Sequence, residues 1–274
     1  MKSPQEPAGQ VSNTSPPAPG TALQRRRFLQ GSAAALATWS TLSHQTATAD
    51  EADTSSKPIK KAVKYGMVQG QMSMLEKFKL VKELGFDGIE LDSPAGYSRD
   101  EVLRARDEAE LPIHGVVDSV HWRDTLSHPD PEVRAKGVEG LKTALADSKA
   151  YGGTTVLLVP AVVNKDVSYA DAYTRSQAEI RKVLPLAEDL GMKIALENVW
   201  NHFLLSALET AQYIDELNSP MVGAYFDVGN IVNYGWPEHW IRTLDQRIFK
   251  LDIKEFSRKQ RDEEGLWKGF QVKI

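Results

Sequence analysis

TTVLLVPAVV at 154–163, MKIALENVW at 192–200 and VGAYFDVGNIV at 222–232 are three apolar runs, and what lies between them decides the fold. Residues 168–190 read as a helix that stops at Gly191, and 206–217 as a second helix. Strands that alternate with helices of this length form βαβ units and a parallel sheet. Runs so rich in Val, Ile and Leu suit strands covered on both faces. The alternation continues upstream, with strands at 64–70, 88–92 and 112–120. The helices there are 74–84, stopped by Gly85; 98–110, with Ser98 as N-cap; and 131–151, ended by Gly152 and Gly153. Downstream come a helix at 237–246 and a seventh strand at 248–256.

Two α/β arrangements fit, a doubly wound sheet and a (β/α)8 TIM barrel. No GxGxxG follows the first strand, which weighs against a dinucleotide fold. Seven uninterrupted strand–helix units favour the barrel. Residues 257–274 read as a charged loop and a short apolar tail, too short for a helix, an eighth strand and a closing helix. The barrel is therefore expected to be truncated after strand seven. Open edges at strands one and seven would invite pairing with another chain, as in a homo-oligomer.

The first fifty residues do not read as fold. Residues 1–24 are rich in Pro, Ser, Gln and Gly; then come Arg25, Arg26, Arg27, Phe28 and Leu29, a weakly apolar stretch at 31–43, and Ala47-Thr48-Ala49. Basic, apolar and small-residue segments in that order make residues 1–49 a signal peptide of the twin-arginine type. Residues 50–61 are a linker, and 62–274 the barrel. The expected partner is the twin-arginine export machinery, and the expected destination the periplasm or beyond. The formal charge of −4 gives no reason to expect a nucleic-acid partner. The absence of cysteine excludes disulfides and thiolate metal sites. No apolar run reaches the roughly 18–20 residues of a membrane span.

In barrel enzymes the chemistry sits at the carboxyl ends of the strands. Glu197, Asp227 and Asp252 each come late in an apolar strand, on three successive strands. Three like charges there would raise one another's pKa values, and a hard divalent cation resolves the conflict. Carboxylates favour Mn²⁺ or Mg²⁺; imidazole would also admit Zn²⁺ or Co²⁺. Pairing of each acid with a neighbouring Lys or Arg is the alternative. Lys254 lies two residues past Asp252 and so points to the same side. It would hold a substrate oxygen, stabilise an enolate, or merely pair with Glu255 or Asp252. Glu90 and Asp92 share one face of strand two. His114, on the face of Val116 and Asp118, is either a site residue or a core histidine. His121 and Trp122 fall in a mouth loop suited to substrate contact. Trp200, between Asn198 and Asn201, is either a sugar-facing wall or packing.

The motifs Glu197-Asn198-Val199-Trp200-Asn201, Tyr225-Phe226-Asp227-Val228-Gly229-Asn230 and Pro237-Glu238-His239-Trp240-Ile241 resemble the xylose isomerase-like barrel family of sugar and sugar-phosphate isomerases and epimerases. His121-Trp122 and Leu157-Leu158-Val159-Pro160 fit it too, and the likeness runs from about Tyr65 to Ile274. The resemblance implies a (β/α)8 fold with one divalent cation, held by Glu, Asp, His and Glu from strands five to eight. Glu197 matches the first ligand and Asp227 the second. Asp252 stands where the family has histidine, in Asp252-Ile253-Lys254-Glu255 against His-x-Lys-Asp. The strand-eight glutamate has no counterpart. The implied chemistry is proton transfer beside a ketose carbonyl through a cis-enediolate, with Glu197 and Lys254 as catalytic residues. Glu90, His114, His121, Asn198, Trp200 and Asn230 would bind the sugar. The competing readings are an exported lyase or hydrolase of oxidised glycosides on the same metal site, and an inactive, truncated sugar-binding remnant.

Overall fold

The computed structural model describes residues 59–272; the signal-type segment and nearly all of the linker fall outside them. Seven strands form one parallel sheet in chain order. They are β1 (Ala62–Lys64), β2 (Gly88–Ser93), β3 (Ile113–Asp118), β4 (Thr155–Leu158), β5 (Lys193–Glu197), β6 (Val222–Asp227) and β7 (Ile248–Asp252). Laid flat, seven strands would hold β1 and β7 about 29 Å apart at ~4.8 Å per step. Instead Lys64 of β1 touches Asp252 of β7 at 2.8 Å, and Glu90 of β2 meets Tyr225 of β6 at 3.2 Å. The sheet curls into an almost closed barrel with a seam between β1 and β7, in keeping with a (β/α)8-type fold that stops at strand seven among the described residues.

Helices α1 (Met74–Glu83), α2 (Arg99–Glu108), α3 (Pro131–Tyr151), α4 (Tyr169–Leu190) and α5 (Ala207–Leu217) cover the outside. Their ends follow local chemistry. Ser73 and Glu76 form a reciprocal capping box on α1. Asp130, followed by Pro131, caps α3 by accepting the Glu132 N–H at 2.9 Å. Gly152 and Gly191 close α3 and α4 at φ 85° and 63°, backbone that side chains disfavour. Helix against strand, Phe78, Leu91, Val116, Leu141, Ile194 and Phe226 join one outer core. A second, smaller cluster of Leu157, Ala195 and Tyr225, flanked by Val117 and Phe249, marks the inside of the barrel.

Several expectations need correction. The first strand is three residues long, because Tyr65–Met67 turn into a 3-10 helix where Tyr65 packs on Tyr97 and Phe78. Ser98 precedes α2 in extended backbone, but its side chain makes no cap bond. The apolar run at 222–232 is two elements, because Asp227 ends β6 and caps a short helix α6 (Val228–Val232). Next come α7 (Pro237–Leu244) and, where a charged loop was expected, α8 (Arg258–Glu264). It has no apolar stripe; Ser257 caps it, and Arg258 and Arg261 tie it to the Val232 and Asn233 carbonyls at 2.8 and 2.6 Å. Finally, β3 carries a bulge. Ile89 pairs with Ile113 but Glu90 with Gly115, so His114 is the extra residue. It parts His114 from Val116 and Asp118. His114 faces β7, whereas Val116 joins the outer core and Asp118 faces Gly140 of α3.

Candidate active site

Glu197, Asp227 and Asp252 are the last residues of β5, β6 and β7; parallel pairing sets Asp227 opposite Asp252 and Glu197 opposite Tyr225, two residues before Asp227. Each offers a carboxylate oxygen, and the three oxygens lie within 4.8 Å of one another. Glu197 and Asp227 are buried, and Asp252 is partly exposed. Burial pushes Glu197 up to about 8; Lys64 opposes this, and Asp252 and Asp227 add to it. Asp227 is also raised by burial, against the pull of Lys254.

Asn198 and Asn230, expected to meet substrate, are instead committed to Asp227. The Asn198 amide donates to the Asp227 carbonyl at 2.8 Å and accepts the Asp227 N–H at 2.9 Å. The Asn230 N–H donates to Asp227 Oδ1 at 2.8 Å, and its side chain donates to the Asn198 carbonyl at 2.9 Å. This network fixes where the Asp227 carboxylate points. Its Oδ2 accepts no well-aligned hydrogen bond, and Lys254 Nζ sits 2.7 Å away. Lys254 thus pairs with Asp227 rather than with Glu255 or Asp252, and donates to Asn230 Oδ1 at 3.1 Å. Gly229 is required here: a Cβ would run into the Lys254 carbonyl.

Lys64, the last residue of β1, crosses the seam to Asp252. Burial works against its ammonium, but Asp252, then Glu197 and Glu90, hold it well above the ordinary lysine value. Sequence reasoning did not single it out. The available signal was a lysine within an apolar strand of a closed sheet, where a charge needs an acidic partner.

The other expected residues spread over the barrel. His121 is buried at the mouth, and its Nδ1 accepts the Val159 N–H at 3.3 Å. That bond leaves the proton on Nε2, and burial, helped by the Lys64 charge, pushes the ring down to about 4. Trp200 packs against Phe256, Trp267 and Phe270 and donates to the Asn230 carbonyl at 2.9 Å. Glu90 sits deeper. Tyr225 donates to its Oε1, its Oε2 is buried without a hydrogen-bond partner, and burial raises it to about 7. His114 lies near the amino end of β3, not at the acid cluster. Lys250 Nζ is 2.7 Å from its Nδ1, and burial with that neighbour drives it down to about 3.

The donor set suits a divalent cation. Three convergent carboxylates match the oxygen preference of Mg²⁺ or Mn²⁺, and Glu197 is acted on by burial and by neighbouring charges. Two of the three acids already carry an ammonium partner, so the cluster is only partly uncompensated.

The sequence profile described as "Xylose isomerase-like TIM barrel" matches residues 78–270. Among curated proteins, the chain is 30% identical over 174 residues to a 2-epi-5-epi-valiolone 7-phosphate 2-epimerase of Actinoplanes, covering 60% of this chain and 61% of the relative. It is 27% identical over 173 residues to an L-ribulose-5-phosphate 3-epimerase of Escherichia coli K12, covering 57% and 59%. The matched region thus spans about three-fifths of each relative's length. Among solved structures, D-psicose 3-epimerase in the presence of D-fructose superposes with a TM-score of 0.63 at 22% identity, over 72% of this chain and 73% of that one. The 3-keto-D-glucoside 4-epimerase YcjR of E. coli gives 0.63 at 19% identity, over 72% and 80%. These two support the fold.

Proposed function

The chain belongs to the xylose isomerase-like TIM barrel family, and from that premise we propose that it is a divalent-cation-dependent sugar epimerase or isomerase of the EC 5 type. The observation that carries the proposal is the convergence of Glu197, Asp227 and Asp252 at the carboxyl ends of three adjacent strands. The epimerase relatives support the reaction class.

In this reading Glu197, Asp227 and Asp252 hold the cation, Mn²⁺ or Mg²⁺ by donor type. Bound there, it would polarise a ketose carbonyl and the adjacent hydroxyl, making the proton on the intervening carbon more acidic. The protein's own groups do the rest. Glu197 takes the carbon-bound proton, leaving a cis-enediolate, and a second acid, which the family resemblance puts on strand eight, returns a proton to the opposite face or the neighbouring carbon to give epimer or isomer. The Lys254 ammonium, fixed by Asp227 and Asn230, steadies the developing enolate charge. His121, its Nδ1 already used, offers Nε2–H to a sugar hydroxyl. Residues 1–49 would direct the chain through the twin-arginine route to the periplasm, so free rather than phosphorylated ketoses are the substrates to try first.

The test is turnover of a panel of free ketoses with and without Mn²⁺, in wild type and Glu197→Gln. Mn²⁺-stimulated epimerisation that falls by about 10²–10⁴-fold in the variant is expected, the usual worth of a positioned proton-transfer group. Turnover that survives the substitution would remove Glu197 from the role.

A further inference from the structure

We propose that Lys64 is a built-in competitor for the cation, an ammonium that occupies Asp252 until a divalent ion displaces it. The proposal rests on the cation reading of the acid cluster and adds a device that sets its affinity from β1.

Three observations combine. First, the ammonium reaches across the seam to an oxygen of a carboxylate that belongs to the cluster, at 2.8 Å. An ion bound to the same carboxylate would share the space and the charge, so the two positive groups repel at short range. Second, the two lysines of the site differ in freedom. Lys254 is held by Asp227, by Asn230 Oδ1 at 3.1 Å and by the face of Phe270 at 5.6 Å. Among the described residues Lys64 has Asp252 as its one hydrogen-bond acceptor; the Lys64 and Lys254 side chains are similarly exposed, at 35% and 40%, so the difference lies in the number of partners that hold each. Third, Lys64 lies beside the seam where β1 and β7 share no ladder, so a displaced side chain has a route toward solvent. Lys254 is therefore part of the fixed frame, and Lys64 is the group that can yield.

The competing physical account makes Lys64 a positioning residue that orients Asp252 and so aids binding. The two accounts give opposite signs. Mn²⁺ binding to the purified full chain, followed by the electron paramagnetic resonance signal of free Mn²⁺, separates them. Lys64→Met removes the charge and keeps the length; Lys64→Arg keeps the charge. Competition predicts that Lys64→Met binds Mn²⁺ at least about tenfold more tightly, and that Lys64→Arg stays close to wild type. Unchanged or weaker binding by a folded Lys64→Met overturns the proposal. If that variant does not fold, Lys64→Gln, neutral but polar, carries the same expectation. If wild type and all variants fail to bind Mn²⁺, the cation reading falls and the competitor falls with it. If wild type binds and the neutral variants bind no better, only the competitor falls.

Discussion

Asp118 offers a direct measurement of what burial costs in this barrel. It ends β3, is 1% exposed, and faces α3 at Gly140, with one donor, the Val120 N–H, 3.1 Å from Oδ1. Burial pushes its carboxyl up to about 7; the Val120 bond works against this and Asp124 adds to it. An unfolded aspartate titrates near ~3.9. The folded state therefore holds the proton more tightly, and its stability falls as pH rises from about 4 through about 7. Three pKa units at about 1.4 kcal/mol each put the ceiling on this loss near 4 kcal/mol. Asp118→Asn keeps an Oδ1 acceptor for Val120 and cannot ionise. Urea unfolding of both proteins from pH 4 to pH 8.5 should show the variant gaining on wild type by about 2–4 kcal/mol over that span. Other titrating groups are common to both and cancel in the difference. The second amide hydrogen brings a constant offset, so the slope is the signal. A difference that does not change with pH would refute the assignment of a buried, elevated carboxyl.

Other perturbations probe the frame around the acids. Gly229→Ala should drive a methyl into the Lys254 carbonyl and lower stability by about 1–3 kcal/mol, read as a drop in melting temperature. Asn198→Ala removes two hydrogen bonds to the Asp227 backbone and should cost about 1–3 kcal/mol; Mn²⁺ should protect it from thermal unfolding less than it protects wild type. Trp200→Ala opens the cluster with Phe256, Trp267 and Phe270, so limited proteolysis should cut first within 257–272. A cut elsewhere would count against that packing. His121 is neutral throughout pH 5.5–8, so His121→Gln should alter turnover without moving the pH profile in that window.

The parallel sheet, its strand order and the three acids at strand ends were legible in the sequence, because apolar runs separated by helical spacing leave few alternatives. The residues whose roles changed are those whose environment depends on one extra backbone residue. Strict alternation puts His114 with Val116 and Asp118, but the bulge at His114 reverses it, and no sequence pattern marks a bulge of this kind. A similar shift next to Phe249 lets Phe249 join the inner apolar cluster while Lys250 also points inward. The family resemblance assigns Asn198 and Asn230 to substrate contact. Only the fold reveals that Asp227 caps α6 and that the two amides are taken up by the Asp227 and Asn198 carbonyls.

The distribution of charge inside the barrel follows from the seam. Val117, Leu157, Ala195, Tyr225 and Phe249, from β3 through β7, fill one side of the interior with apolar surface. Lys64, Glu90, His114, Lys250 and Asp252 come from β1, β2, β3 and β7, the strands beside or near the open edge. A closed barrel packs its interior with branched apolar side chains, and charges there are costly unless paired. Here the cost is reduced in two ways. Lys64 and Asp252 keep part of their surface in water at 35% and 21% exposure, and opposite charges face each other across the gap. Glu90 lies further in, with Tyr225 as its only hydrogen-bond donor among the described residues, and it responds by taking up a proton near neutral pH. Asp252 is thus the residue at which this polar column meets the acid cluster, and the same opening that exposes Asp252 gives Lys64 room to leave it.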